Sequence, residues 1–347
     1  MHRLLPFALL PLLALTTLAQ TPPTTATTAP ATPDAVTLPD EHGTPRLYPT
    51  TPQSIVTPHA GILNLSAQDI PRYTQTGPLP DPPPARHFVI PPVPHNPNLP
   101  TLWTIGDSTV RTGVNGTGDD RPGQWGWGCP LVGYFDPAKV NVVNRAVGGT
   151  TSGSFYNAQW PALLPLIKKG DVVLMQFGTN SGAPETRGIG DEPQTLTGRN
   201  GQTITGHSFG WFLRQFIHDT QSKGATPIIC SLIPRNSRDD AGKIKRSADS
   251  QAGWARQVAA EQHVGFIDLN ELIAEKYDAL PKVQVDALFA GSPHTSWTGA
   301  VLNAETVISG LKALHPDPAA AWYVPQVQQI AAAPALPDNP PATTPAH

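Results

Sequence analysis

Short apolar runs alternate with helix-like patterns between Leu102 and Leu314. Five runs have the length and continuity of buried strands: Leu102–Ile105, Val140–Asn144, Val172–Phe177, Pro227–Ile233 and Val264–Asp268. The segments between them carry apolar residues at helical spacing, as in 160–167, 211–219, 254–259 and 302–311. This alternation predicts an α/β fold, a three-layer α/β/α sandwich around a five-stranded parallel sheet. In such a sheet the functional groups lie on the loops that follow the strands.

Both ends of the chain differ from this central region. His2 and Arg3 precede an apolar run that ends with small residues at Thr17 and Ala19, which predicts a signal peptide over 1–19 and a secreted or periplasmic protein. We expect a Pro/Thr-rich lead-in over 20–85 with a short packed arm, a globular domain over 86–326, and a disordered Ala/Pro tail over 327–347. After removal of the signal peptide, we expect no membrane-spanning segment.

The composition and net charge of the chain argue against several classes of partner and of site. The 347 residues include 41 prolines and carry a formal net charge of −3, which favours neither nucleic acid nor anionic lipid as a partner. The two cysteines, Cys129 and Cys230, are too few for a disulfide scaffold, although a single bond between them is compatible with an oxidising compartment. No zinc-type spacing of His and Cys occurs, and we expect no cofactor.

Four loops carry candidate catalytic groups. Ser108 follows the first strand, a Gly148-Gly149 pair the second and Asn180 the third, while His294 precedes the last helix. Each has an ordinary alternative: a helix N-cap, a tight turn, an Asn turn and a surface histidine. Together they provide a nucleophile, a base, and backbone and amide N–H donors for an oxyanion, which indicates a serine esterase.

At these loops the sequence resembles the SGNH/GDSL hydrolases, and among them the rhamnogalacturonan-acetylesterase-like carbohydrate esterases. The stretches that carry the resemblance are LWTIGDSTV (102–110), GQWGWG (123–128), VVNRAVGGTTSGSF (142–155), FGTNSG (177–182), GWFLR (210–214) and PHTSWTGA (293–300). The resemblance implies a flavodoxin-like fold and removal of O-acetyl groups from plant cell-wall polysaccharide, either pectin/rhamnogalacturonan or xylan, through an acetyl-enzyme and without a metal. It also implies Ser108 as nucleophile, His294 as base, and an oxyanion hole of Ser108, Gly149 and Asn180.

The sequence departs from the family pattern at the third member of the triad. Members usually carry Asp three residues before the histidine, where this chain has Gly291. The acid normally orients and stabilises the imidazole. Three outcomes follow: a Ser108–His294 dyad, which we favour, rescue by another carboxylate such as Asp286, or a degenerate enzyme. A second departure is Thr179-Asn180-Ser181, where the family often shows His-Asn-Asp. Because Asn180 is kept, we expect the oxyanion hole to be kept as well.

Four other side chains are candidates for substrate binding. Trp125 and Trp127 have aromatic faces that suit sugar rings, with core packing as the equal alternative. His207 ends a long polar insertion, where surface placement is the simpler interpretation. Arg235 follows the fourth strand, where its guanidinium suits a uronate carboxylate, with a solvated arginine as the alternative.

The sequence therefore predicts a monomeric secreted esterase that acts on an acetylated polysaccharide or oligosaccharide. Two alternatives stay open. One is a general lipase-like or aryl esterase, because the same oxyanion hole serves any ester. The other is a noncatalytic carbohydrate-binding protein on this scaffold, which the glycine at position 291 favours.

Overall fold

The computed structural model describes residues 35–39, 45–49, 94, 96–111, 124–198 and 201–336. The predicted signal peptide, most of the predicted lead-in and the last residues of the predicted tail lie outside this part of the chain. Its strands are β1 (Ala35–Pro39), β2 (Pro45–Pro49), β3 (Thr101–Gly106), β4 (Asn141–Asn144), β5 (Val172–Gln176), β6 (Glu185–Thr186), β7 (Gln194–Thr197), β8 (Thr203–Ser208), β9 (Thr226–Cys230), β10 (Gly265–Ile267), β11 (Phe289–Gly291) and β12 (His294–Thr295).

The α-helices of the described residues fall between these strands, and none is long and apolar enough to cross a membrane. They are α1 (Gly128–Leu131), α2 (Ser152–Ala158), α3 (Trp160–Leu163), α4 (Phe209–Ser222), α5 (Gln251–Glu261), α6 (Leu269–Asp278), α7 (Lys282–Ala287) and α8 (Trp297–Lys312). Short 3₁₀ segments occupy Val132–Tyr134, Leu164–Leu166, Ala320–Trp322 and Pro325–Gln329.

The predicted five-stranded parallel sheet is confirmed. Its strand order is β10-β9-β5-β3-β4, and every neighbouring pair is parallel. Numbered along the chain, this is the flavodoxin-like order 2-1-3-4-5, whose switch point lies between β3 and β5. Gly106 and Gln176 are register partners there, so the loops after these two strands leave the sheet side by side.

Alternate residues of the strands face opposite layers of the domain. Leu102, Leu174 and Ile228 belong to a core that includes residues of α6 and α8. Their chain neighbours Trp103, Val173 and Ile229 belong to a second core, with residues of α2, α4 and α5. Both faces are covered by helices, which is why the strands are continuous apolar runs rather than alternating ones. The result is the predicted three-layer sandwich.

The sequence overestimated the length of the fourth strand. The prediction extended it to Ile233, whereas β9 ends at Cys230. At the next residue, the Ser231 hydroxyl donates to Asp268 Oδ1 at 2.9 Å and accepts from the backbone N–H of Asn270 at 2.9 Å. These side-chain bonds join the ends of two neighbouring strands.

The predicted disorder after residue 326 is wrong for residues 327–336. Val327 is buried, and the backbone N–H of Ala333 donates to the Ser309 carbonyl at 2.9 Å. The Ser309 hydroxyl donates to the Ala331 carbonyl at 2.8 Å, and the Lys312 ammonium donates to the Val327 carbonyl at 3.1 Å. The segment therefore packs along α8, because apolar residues among the alanines and prolines complete the core under that helix.

Two smaller sheets were not predicted. The polar insertion after β5 forms a three-stranded sheet in the order β6-β8-β7, and β11 pairs with β12 as a short antiparallel hairpin. The hairpin carries His294, and its register places Gly291 opposite that histidine.

Candidate active site

Ser108 lies in a tight turn directly after β3. The neighbouring Asp107 accepts hydrogen bonds from the backbone N–H and the hydroxyl of Thr109 at 2.8 and 2.7 Å. Capping of this turn is therefore the role of Asp107, which leaves the serine hydroxyl available. Burial is the largest influence on Asp107 and raises the pKa of its carboxyl.

The turn depends on Gly106. A β-carbon there would lie 2.4 Å from the carbonyl oxygen of Gln176 and 2.6 Å from Cγ2 of Val110. Neither the neighbouring strand nor the turn leaves room for a side chain, so the glycine lets β3 run into the serine turn without displacing β5.

The Ser108 hydroxyl lies against the imidazole of His294. Nε2 of His294 is 2.9 Å from Oγ of Ser108, which is hydrogen-bond distance for a nucleophile and its base. Burial lowers the pKa of His294, and the positive charges of Arg111 and Arg235 lower it further. The imidazole is consequently neutral at neutral pH, as a proton acceptor must be.

The β11–β12 hairpin holds His294 in this position through the residue that follows it. The backbone N–H of Trp125 donates to the Thr295 carbonyl at 2.9 Å, and the Thr295 hydroxyl donates to the Trp125 carbonyl at 2.6 Å. The Trp125 ring packs edge-on against Trp297 at 5.1 Å between ring centroids. The backbone pairing of Thr295 and the aromatic packing of Trp297 thus fix the position of His294, which precedes both residues in the chain.

Position 291, where the family usually carries the acid of the triad, has no side chain and faces open space. Gly291 is exposed and has a φ of +143°, and a β-carbon there would have no neighbour within 4 Å. Asp286 is engaged elsewhere, since Oδ1 accepts from the Asn236 amide at 2.9 Å and Oδ2 from the Lys282 ammonium at 2.7 Å. Within the described residues, the side chain of His294 hydrogen-bonds to Ser108 alone.

Backbone and amide donors lie on the loops that follow the two strands next to β3. Gly149 is exposed with a φ of +77°, a conformation that favours glycine. In the part of the chain that the structure describes, the backbone N–H groups of Ser108 and Gly149 donate to no acceptor. Asn180 Nδ2 donates to the Thr150 carbonyl at 3.0 Å, which joins its loop to that of Gly149 and leaves the second amide hydrogen. These groups are suited to an oxyanion.

Two guanidinium groups flank the site. The predicted Arg235 is exposed, and its Nη2 donates to the Thr179 carbonyl at 2.8 Å beside Asn180. Sequence reasoning missed Arg111, which is buried and lies so close to Gly148 that a β-carbon there would be 2.3 Å from Nη1. The sequence signal that could have indicated Arg111 is its spacing of three residues from Ser108, because one helical turn brings residues at that spacing to the same side.

The structure corrects the prediction for the two tryptophans. Trp125 is 4% exposed and Trp127 is fully buried, so neither ring presents a face to a sugar. Core packing, the alternative interpretation, describes both. Trp127 also donates from Nε1 to the side-chain oxygen of Gln176 at 2.6 Å, which ties the segment after the serine turn to β5.

His207 lies on β8, where its register partner is Glu185 of β6. Its ring stacks on Trp211 at 3.9 Å between centroids with an angle of 16° between the planes. One face of the imidazole is therefore covered by the tryptophan rather than open to a ligand. Cys129 and Cys230 are both buried and are not bonded to each other.

A profile of the GDSL-like Lipase/Acylhydrolase family matches residues 104–323, which include the serine turn, both donor loops and the histidine hairpin. The chain belongs to this family. Among the described residues, no group of three or more His, Cys, Asp or Glu side chains is arranged to hold a metal ion.

Curated relatives of this GDSL-family chain come from Bacillus subtilis (strain 168). The chain is 27% identical over 220 residues to "Probable rhamnogalacturonan acetylesterase YesY", an alignment that covers 61% of this chain and 93% of the relative. It is 26% identical over 232 residues to "Rhamnogalacturonan acetylesterase RhgT", with 61% and 90% covered.

The crystal structure of the Bacillus subtilis protein YxiM has the same fold. The two structures superpose with a TM-score of 0.50 and 24% sequence identity, over 62% of this chain and 56% of that one. The matched region of this GDSL-family chain therefore spans little more than half of YxiM. At this identity the likeness concerns the fold alone.

Proposed function

We propose that this protein is a secreted serine esterase that removes O-acetyl groups from plant cell-wall polysaccharide. The observation that carries the proposal is the 2.9 Å contact between Ser108 Oγ and His294 Nε2, in a chain of the GDSL family. The names of the two curated relatives support an acetylated carbohydrate as substrate. Secretion is supported by the signal-peptide pattern over 1–19.

In the proposed reaction, His294 Nε2 accepts the Ser108 proton while Oγ attacks the acetyl carbonyl carbon. The carbonyl oxygen becomes an oxyanion that accepts from the N–H groups of Ser108 and Gly149 and from Asn180 Nδ2. The sugar oxygen then leaves with the proton from His294. Water attacks the acetyl-enzyme with His294 again as base, which releases acetate and restores the serine.

The reaction proceeds as a dyad in this proposal. The neutral state of His294 is supported by burial and by two neighbouring guanidinium charges, rather than by a carboxylate. A cationic imidazolium formed in the transition state gains no stabilisation from an acid, so we expect a lower turnover than a complete triad gives.

Arg235 favours pectic substrates over neutral xylan. Its guanidinium is exposed, anchored to the Thr179 carbonyl, and close enough to His294 to lower the pKa of the imidazole. A uronate carboxylate beside the acetylated position offers a planar anion that a guanidinium binds through two hydrogen bonds. Xylose residues have no such group.

Acetate release from acetylated rhamnogalacturonan and acetylated xylan fragments tests this function. The mature protein is compared with Ser108→Ala and with Ser181→Ala, a control at an exposed serine near the site. We expect release by the wild type and the control, with none by Ser108→Ala. Hydrolysis of aryl acetates but of no glycan would indicate a general esterase, and binding of the glycan without hydrolysis would indicate the noncatalytic alternative.

A further inference from the structure

The insertion between β5 and α4 also contacts the helix that follows the oxyanion loop, through the side chain of Glu185. This residue lies on β6, and its carboxylate extends to the first turn of α2. Oε2 accepts a hydrogen bond from the Ser152 hydroxyl and another from the backbone N–H of Gly153 at 3.3 Å. The carboxylate therefore satisfies donors at the start of α2, one of the helices that cover the five-stranded sheet.

The start of α2 is continuous with the loop that carries Gly149. Thr151 caps the helix, since its hydroxyl accepts from the Ser154 backbone N–H at 3.0 Å and its own N–H donates to the Ser154 hydroxyl at 2.9 Å. Thr150 is held by Asn180 at its carbonyl and donates from its hydroxyl to the Val147 carbonyl at 2.9 Å. Only two residues separate Gly149 from Ser152, so the position of the helix start determines that of the Gly149 N–H.

The surroundings of Glu185 make its charge depend on pH. Burial raises the pKa of this carboxyl from its ordinary 4.5 to about 7, against the opposing effect of the Ser152 and Gly153 hydrogen bonds. Among the described residues, the negative charge of Asp107 after β3 raises this pKa further, and the titratable His207 on β8 is the register partner of Glu185. The element α2 contributes uncharged donors at this contact.

We propose that Glu185 is a positioning residue: its ionised carboxylate fixes the first turn of α2 and thereby holds the Gly149 N–H in place for the oxyanion. A protonated Glu185 keeps an acceptor but loses the charge that strengthens both hydrogen bonds. The helix start then loosens, and an oxyanion donor moves away from its position. Because this donor acts in the transition state, the loss falls on kcat rather than on KM.

The test measures kcat and KM for p-nitrophenyl acetate across about pH 5 to 9. The proteins are the wild type, Glu185→Gln, Glu185→Asp and Glu192→Gln, the last an exposed control in the same insertion. A small acetate is used because the proposal depends on ester hydrolysis by Ser108 but not on the identity of the glycan. Failure of the wild type to hydrolyse it would contradict the esterase function, whereas a comparison among active variants tests Glu185.

We expect Glu185→Gln to lower kcat by about tenfold or more at alkaline pH, with KM little changed. The difference from wild type should vanish in acid, where the wild-type carboxyl is itself neutral. Glu185→Asp should restore part of the pH dependence, and the Glu192→Gln profile should match that of the wild type. A purely structural role for Glu185 predicts instead a loss that is equal at every pH.

The wild-type profile alone also tests the proposal, should Glu185→Gln fail to fold. The acid limb of kcat should contain an ionisation near the Glu185 pKa of about 7, in addition to that of His294 at lower pH. A wild-type acid limb with one ionisation below 6.5, the ordinary pKa of histidine, would overturn the proposal.

Discussion

The hydroxyl of Ser108 and the imidazole of His294 are 186 residues apart in the chain and 2.9 Å apart in the structure. The serine comes from the turn after β3, and the histidine from the β11–β12 hairpin just before the last helix. Neither position is defined by local structure alone, because the hairpin is held by pairing with Trp125, which is distant in the chain. The dyad is therefore a property of the complete domain.

Replacement of the nucleophile should abolish covalent chemistry. We expect Ser108→Ala to lower kcat by about 10⁴-fold or more, as removal of a catalytic serine does in serine hydrolases. A fluorophosphonate probe should label the wild type and Ser181→Ala, but not Ser108→Ala. Labelling of Ser108→Ala at another serine would assign the nucleophile elsewhere.

Removal of the amide donor should affect the transition state rather than binding. We expect Asn180→Ala to reduce kcat by about 10²- to 10³-fold with a small change in KM, because an oxyanion donor is lost. The measurement is steady-state kinetics on p-nitrophenyl acetate. An Asn180→Ala variant with raised KM and unchanged kcat would show that this side chain binds substrate instead.

Insertion of the usual triad acid should not simply restore a triad. At position 291 the φ of +143° is rarely adopted by residues with a β-carbon, although the surrounding space is open. We expect Gly291→Asp and Gly291→Ala to lose similar unfolding free energy, about 1–3 kcal/mol each.

The comparison of these two variants isolates the carboxylate, because the backbone strain is common to both. The register of the hairpin places position 291 opposite His294, so a carboxylate there should raise the pKa of the imidazole relative to Gly291→Ala. The measurement is an NMR titration of His294. Equal pKa values in the two variants would show that the introduced carboxylate does not reach the imidazole.

Loss of the Arg235 guanidinium should weaken the binding of charged substrates and also change the pKa of the base, His294. We expect Arg235→Gln to raise KM for acetylated pectic fragments several-fold while KM for acetylated xylan stays unchanged. The same change removes a positive charge that lowers the His294 pKa, so that pKa should rise toward 6.5. Steady-state kinetics on both glycans and the His294 titration check the two effects, and equal changes in KM on both glycans would contradict a role in uronate recognition.

The sequence predicted the sheet well, because strands that are buried on both faces are continuous apolar runs. Gly and polar residues mark where each of these runs begins and ends. The sequence also predicted which loops follow these strands, and hence the loops that carry Ser108, Gly149 and Asn180. Trp125 and Trp127 could not be assigned in this way. Whether an aromatic ring faces solvent or core depends on residues distant in the chain, such as Trp297, and not on local spacing.

The insertion was harder still for sequence reasoning. Its strands β6, β7 and β8 are short and largely polar, so they show little of the hydrophobic period that reveals the main sheet. Nothing in the local sequence distinguishes Glu185 from the other carboxylates of the insertion. Its contact with Ser152 depends on how the small sheet packs against α2, which is tertiary information.

The two cysteines of the chain, Cys129 and Cys230, are both buried and are not joined by a disulfide, and burial also raises the pKa of the Cys230 thiol. The fold therefore does not rely on an oxidant, and reducing agents in a purification buffer should leave it intact. Thiol-directed reagents meet no surface cysteine on the native protein. A cysteine engineered onto an exposed position would become the single reactive handle for attaching a fluorophore or for immobilising the protein on a support.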